Sequence, residues 1–139
     1  MTAVPVEPII MTDVLCQIGA DDLAEHVSRV ELTPARSTVN WAGLSPNARF
    51  SKAGRATWTV TLDYAQDWKT PGSLARYLWD HAGETVAMTF EPEAGGGTSW
   101  AVDVDIVEGA VGGAVDTVPV GTVTLPVQGR PVPTFPTAP

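Results

Sequence analysis

The fold class is decided by one stretch of sequence, Ala56-Thr57-Trp58-Thr59-Val60-Thr61-Leu62-Asp63-Tyr64. Apolar and polar side chains alternate along it. The apolar set is Trp58, Val60, Leu62 and Tyr64. Because successive side chains of a strand point to opposite faces, the alternation predicts a strand over residues 55–64 with one buried face.

Weaker patterns of the same kind lie on both sides of this strand. They predict further strands over residues 12–18, 24–33, 84–91, 100–107 and 117–127. Glycine-rich segments at 92–99 and 109–113 provide turns between the later strands. This succession of short strands and turns indicates a mainly β fold, an antiparallel β-sandwich or partial barrel.

One helix is predicted, over residues 71–82. Thr70 can cap it, Pro71 suits its first position, and Gly83 favours the left-handed backbone that ends a helix. The face with helical spacing consists of Leu74, Tyr77, Leu78 and His81. We expect this helix to pack against one face of the sheet.

A long basic stretch precedes the strand at 55–64. No carboxylate occurs between Glu31 and Asp63, whereas four cations do, namely Arg36, Arg49, Lys52 and Arg55. The stretch contributes +4 to a chain whose total charge is −8, so the rest of the chain carries −12. Proline and glycine punctuate residues 34–54, which predicts a long loop between strands.

The same loop contains apolar groups that a solvated loop would not need. They are Val39, Trp41, Leu44 and Phe50. Trp and Arg are favoured anchors of subunit interfaces, and a basic segment on an acidic body suits docking onto another copy of the chain. We therefore predict that Trp41 and Phe50 anchor an inter-subunit contact, in which the four cations meet a neighbour's carboxylates.

Both ends of the sequence are predicted to be extended arms on a single domain that spans residues 1–139. The first, residues 1–11, contains Pro5 and Pro8 and shows little periodicity. The second, residues 129–139, contains four prolines. Proline removes a backbone donor and fixes φ, so it suppresses regular secondary structure in such segments.

Bulk composition excludes several classes of function. A net charge of −8 argues against sequence-specific DNA binding, which needs a basic face. The single cysteine, Cys16, rules out an intrachain disulfide framework. We expect no signal peptide and no membrane association, because neither a basic segment followed by an apolar block nor a membrane-length apolar run is evident.

Motifs for catalysis are missing from the sequence. There is no nucleophile-elbow, Walker or zinc-protease motif, and the two histidines, His26 and His81, lie on different predicted elements. We expect no cofactor. Asp103 and Asp105 are the one carboxylate pair on a strand face that suggests a site. They fit an acidic solvent-facing strand or the lining of a shared channel, whereas a hydrolase or metal site would need a third partner.

Two segments resemble a known family. The passage Leu74-Ala75-Arg76-Tyr77-Leu78-Trp79-Asp80-His81-Ala82-Gly83-Glu84 resembles the helix-to-strand passage of tail tube (major tail) proteins of long-tailed bacteriophages, siphophage type. Val120-Gly121-Thr122-Val123-Thr124-Leu125-Pro126-Val127-Gln128-Gly129-Arg130-Pro131 resembles the last strand of that family. The resemblance covers roughly residues 12–131 and rests on the type and order of residues.

The resemblance implies a structural virion protein that is not an enzyme. Such proteins form hexameric rings that stack into the tail tube, the conduit for genome delivery. They are similar to the tubes of contractile tails and type VI secretion. The lumen holds the tape measure protein and then double-stranded DNA, without sequence-specific binding. Other tail proteins cap the tube ends. The protein would be assembled in the host cytoplasm and reside in the virion tail, with Asp103 and Asp105 as candidates for the lumen lining.

Three alternatives remain open from the sequence. Exposed tryptophans such as Trp41 or Trp68 also fit a carbohydrate- or receptor-binding β-sandwich module. Another tail ring protein, such as a terminator, would have the same sequence features as a tube subunit. A small hydrolase that uses Asp103 and Asp105 is the third alternative, and no motif supports it.

Overall fold

The structure, a computed structural model, describes residues 2–136. Within them the chain forms strands, one 3₁₀ turn at Ala24–His26 and one α-helix. The elements in chain order are β1 Leu15–Ile18, β2 Asp21–Asp22, β3 Val27–Ala35, β4 Thr38–Ala42, β5 Arg49–Ala53, β6 Thr57–Ala65, α1 Leu74–Asp80, β7 Thr85–Glu91, β8 Ser99–Asp105 and β9 Val120–Thr134.

Strand β9 joins two parts of one antiparallel sheet, whose order is β2-β1-β7-β8-β9-β6-β3. The first half of β9 pairs with β6, and the second half pairs with β8. Between Ala101 and Asp103 the register with β9 shifts, at a point where Gly129 adopts φ 78°. Such a bulge bends the strand. The result is a curled antiparallel half-barrel with one helix, which confirms the predicted mainly β fold and partial barrel.

The strand predicted at 55–64 supplies the middle of the core. Val60, Leu62 and Tyr64 are buried, as the alternation predicted. Helix α1 packs into the same core through Leu74 and Leu78. The other main contributors are Ile18, Met88, Val102, Val104, Ile106, Val123 and Leu125. The predicted helix on one face of the sheet is therefore present.

Helix α1 is shorter than predicted at both ends. Its N-cap is Ser73, whose Oγ accepts a hydrogen bond from the Arg76 backbone N–H at 3.5 Å. The predicted cap, Thr70, and first residue, Pro71, belong to the turn before it. Gly72 adopts φ 83°, a left-handed conformation that cannot form part of a right-handed helix, so the helix begins after it.

The predicted C-terminal arm, residues 129–139, is wrong for its first part, because β9 continues to Thr134. Pro131 and Pro133 are tolerated there because this half of β9 pairs on one side only, with β8, and leaves its other side open.

Residues 137–139 and Met1 lie outside the described residues. Residues 2–11 contain no helix or strand and are exposed. No described helix is long and apolar enough to cross a membrane.

The two faces of β9 allow a matched test of the core. Leu125 is fully buried, whereas its neighbour Thr124 points outward. We expect Leu125→Ala to lower the free energy of unfolding by about 2–5 kcal/mol, because it removes buried methyl groups and leaves a cavity. Thr124→Ala should change it by no more than about 0.5 kcal/mol. Urea denaturation of both variants is the measurement, and equal effects would contradict this packing.

Candidate functional site

The long connection between β3 and β6 is present, but it is not the irregular loop predicted for residues 34–54. It contains a hairpin, in which β4 pairs with β5 from Thr38 opposite Ala53 to Ala42 opposite Arg49. The turn is closed by a hydrogen bond from the Gly43 N–H to the Ala48 carbonyl. The sequence carried a signal for it, because two short alternating runs flank a cluster of turn residues at 43–47.

The hairpin has one apolar and one polar face. Trp41 lies opposite Phe50, with ring centroids 6.0 Å apart, and Val39 lies opposite Lys52 on the same face. On the other face, the Ser51 hydroxyl donates to Asn40 Oδ1 at 2.6 Å. We call the first set, Val39, Trp41, Phe50 and Lys52, the hairpin aromatic face.

The hairpin aromatic face has no partner within the described chain. Trp41 is 61% exposed and Phe50 is 60% exposed. The hairpin forms a sheet of its own, separate from the half-barrel. Its base is held by hydrogen bonds from Arg36 Nη1 to the Gly54 carbonyl at 3.1 Å and from the Gly54 N–H to the Ser37 carbonyl. Since an isolated two-stranded hairpin is only marginally stable in water, a further contact would stabilise it.

The four predicted contact cations do not share one face. Lys52 lies on the hairpin aromatic face, whereas Arg49 lies on the polar face. Arg36 is occupied in closing the base of the hairpin, and Arg55 follows β5. None of the four forms an ion pair with a carboxylate of residues 2–136. Their charges are therefore available to carboxylates of another molecule.

Asp103 and Asp105 lie on the side of β8 that faces away from the core, as predicted. Asp105 Oδ1 accepts a hydrogen bond from Thr85 Oγ1 and its Oδ2 accepts one from Gln128 Nε2, both at 2.7 Å. Asp103 is exposed. No group of three or more His, Cys, Asp or Glu in the described chain could hold a metal ion, so the third partner that a metal site needs is not found there.

These two carboxylates belong to a larger polar surface, the outer sheet face. We define it as the outward side chains of β3, β6, β7, β8 and the 120–128 part of β9. Its threonines are Thr33, Thr57, Thr59, Thr61, Thr85, Thr89, Thr122 and Thr124. Its carboxylates are Glu31, Asp63, Glu91, Asp103 and Asp105. Sequence reasoning identified only the last pair, because register is needed to place the others beside it.

Arg29 is the one cation on the outer sheet face as defined, and two carboxylates hold it. Its Nη2 donates to Glu31 Oε2 at 2.7 Å, and its Nη1 lies 3.8 Å from Asp63 Oδ2. The hydrogen bond from Arg29 lowers the pKa of Glu31 below its ordinary value, with a smaller contribution from Thr33. Asp63 also accepts a hydrogen bond from Thr122. The positive charge is thus neutralised within the face.

Comparison with solved structures identifies the same fold elsewhere. One match is a chain of the sheath-tube complex of an extracellular contractile injection system, PVC, in the extended state. It has 16% identity and a TM-score of 0.65, and the alignment covers 91% of this chain and 90% of that one. Another is a chain of the PVC sheath/tube terminator in the extended state. It has 15% identity and a TM-score of 0.64, and the alignment covers 94% of this chain and 99% of that one.

No protein-family model and no curated protein sequence matches this chain. At these identities, likeness to the two structures establishes a shared fold. The half-barrel with one packed helix is thus a fold found in the tube-bearing assemblies of a contractile injection system.

Proposed function

We propose that this protein is a structural subunit that assembles into stacked rings, six-membered as the sequence resemblance implies, and so forms a phage tail tube for genome delivery. The observation that carries the proposal is the hairpin aromatic face, which projects from the half-barrel with Trp41 and Phe50 exposed. Similarity to chains of a sheath-tube complex and its terminator supports the same role. The proposed role requires no catalysis.

Within a ring, the open edges of the half-barrel would join neighbouring subunits. Strand β3 forms one edge of the sheet and β2 forms the other. Exposed edges carry unpaired N–H and C=O groups, which pair with another strand when one is available. An edge-to-edge contact between copies would satisfy these groups and continue the sheet around the ring.

Between rings, the hairpin would dock on the next ring. Its aromatic face provides the aromatic anchors that interfaces favour, and Lys52 on the same face, which forms no ion pair in the described chain, would meet a neighbour's carboxylates. The rest of the chain carries the excess of negative charge that such a contact needs. A head-to-tail contact of this kind does not close on itself, so it produces an open filament.

The outer sheet face would line the lumen. As defined, it carries hydroxyl groups, carboxylates and one cation, Arg29, which Glu31 and Asp63 hold; the exposed Arg130 follows just beyond it on β9. Binding to DNA phosphates depends on free Lys and Arg side chains, so this face would let the tape measure protein and then DNA pass without being retained. Asp103, which is exposed, would face the passage directly.

A ring at the end of the tube is the second candidate, because the terminator chain has almost the same TM-score as the sheath-tube chain. Negative-stain electron microscopy of the purified protein separates the two. Long tubes support the tube subunit, and single rings that never stack support the terminator. A strict monomer at high concentration would contradict both.

The two faces of the hairpin provide a matched test of inter-ring docking. We expect Trp41→Ala/Phe50→Ala to leave a folded protein that fails to form tubes, because these side chains are exposed in the single subunit. Loss of such anchors costs about 2 kcal/mol or more, so assembly should require at least about thirtyfold more protein. Sedimentation and electron microscopy over a concentration series provide the measurement.

The control is Asn40→Ala/Ser51→Ala, which alters the polar face of the same two strands. It should assemble almost as the unaltered protein does. Deletion of residues 38–52 should behave like the aromatic variant. Tubes of normal length from the deletion variant would show that the hairpin does not join rings.

A second prediction concerns the proposed lumen. Asp103→Lys should allow assembly, because the side chain is exposed, but it should place a ring of free cations along the passage. DNA should then bind to the assembled tubes, and raised salt should release it. Asp103→Asn is the control, since it removes the carboxylate without adding a cation. If Asp103→Lys particles eject DNA and infect normally, Asp103 does not line the lumen.

A further inference from the structure

A groove beside α1 has the chemistry of a peptide-binding site. It has a volume of about 510 Å³ and is lined by Trp68, Arg76, Trp79, Asp80 and Val111. Trp79 is 58% exposed, on the side of the helix away from the buried Leu74 and Leu78. We call these five lining residues the tryptophan groove. Neither the core nor the hairpin uses them.

The wall of the tryptophan groove that contains Val111 is fixed in place. The Gln66 side-chain amide forms two hydrogen bonds with the backbone of Gly112. Gln66 Nε2 donates to the Gly112 carbonyl at 3.1 Å, and the Gly112 N–H donates to Gln66 Oε1 at 2.8 Å. The Gln66 N–H also donates to the Pro119 carbonyl. Tethering of the 108–119 segment keeps Val111 opposite the two indoles.

The N-terminal segment, residues 2–11, has the complementary chemistry. It contains Pro5-Val6-Glu7-Pro8, a P-x-x-P spacing, and forms no strand or helix. Its apolar side chains are exposed, with Val6 at 84%. Proline-rich segments of this spacing form a polyproline II helix that docks in grooves lined by aromatic rings, and they lose little conformational entropy on binding.

The groove also offers a partner for the one charge of the segment. Glu7 is the one charged side chain in residues 2–11, and Arg76, which lines the groove together with Asp80, forms no ion pair within residues 2–136. We propose that the Pro5–Pro8 segment of one copy docks in the tryptophan groove of another, with Glu7 beside Arg76. This proposal rests on the proposed self-assembly and adds a second contact to it.

Positions in the fold favour another copy over the segment's own chain. The segment leaves the body at Asp13, whose carbonyl accepts a hydrogen bond from the Ala94 N–H in the β7–β8 turn. The end of α1 lies at the opposite end of β8, where the Gly83 N–H donates to the Ile106 carbonyl. A segment that begins at one end of the strands and a groove at the other suit a head-to-tail contact.

Cysteine cross-linking tests this arrangement in the full chain. Val6→Cys is placed in a copy with one tag and Val111→Cys in a copy with another, and the mixture is oxidised. The native Cys16 should remain silent, because it is buried and burial raises its pKa to about 11. Val115→Cys is the matched control, since it lies in the same segment, outside the groove, and is 87% exposed.

We expect a disulfide-linked pair carrying both tags for positions 6 and 111, at a yield several-fold above that for 6 and 115. Trp79→Ala in the Val111→Cys copy should reduce the yield to that of the control. Glu7→Gln in the Val6→Cys copy should weaken the contact by up to about fivefold, as for an exposed ion pair. Equal yields at positions 111 and 115 would overturn the proposal.

A chain that carries both Val6→Cys and Val111→Cys distinguishes docking within one chain from docking between copies. If positions 6 and 111 cross-link only within one chain, the groove takes its own segment and the proposal is wrong. If tubes form while the thiol introduced by Val111→Cys stays as open to maleimide as in single subunits, the segment does not dock in the groove and only this proposal fails. Cross-linked pairs without tubes or rings would support the segment contact and count against the proposed tube.

Discussion

The structure depends on the double pairing of β9. This one strand hydrogen-bonds to β6 through its first half and to β8 through its second half, and no other strand pairing of the described chain joins those two parts of the sheet. The bulge near Gly129 lets a single strand serve both ladders while the sheet curls. The core closes against α1 because the sheet is curved there, with Leu125 and Val104 on its inner side.

Curling gives the two sides of the sheet different chemistry. The inner side is filled by one apolar core, whereas the outer sheet face keeps threonines and carboxylates in register across β3, β6, β7, β8 and β9. The exposed tryptophans lie elsewhere, Trp41 on the hairpin aromatic face and Trp68 and Trp79 in the tryptophan groove. Contacts with other molecules can therefore form without covering the polar face.

Sequence patterns predicted the central strand, the single helix and the outward position of Asp103 and Asp105. In these elements one face is buried, so apolar residues recur with the period of the strand or helix. The patterns missed the hairpin, whose ten residues are all exposed, because its two alternating runs are short and the proline and glycine between them favoured a loop. They also missed the continuation of β9, because Pro131 and Pro133 suggest irregular chain when the open side of a strand is unknown. The tryptophan groove joins Trp68 and Val111, which are distant in sequence, and only the fold brings them together.

The place of β9 in the chain order has a consequence for synthesis on the ribosome. Strands β6 and β8 emerge well before residues 120–134, so until then the growing chain has no partner strand between them. Contacts of such long sequence separation form late and slow the folding of a β domain. The curled sheet would be complete only after β9 has left the ribosome. Until then β6 and β8 each keep an unpaired edge that β9 later covers, so the order of the strands leaves unfinished chains with more open edges than the finished subunit has.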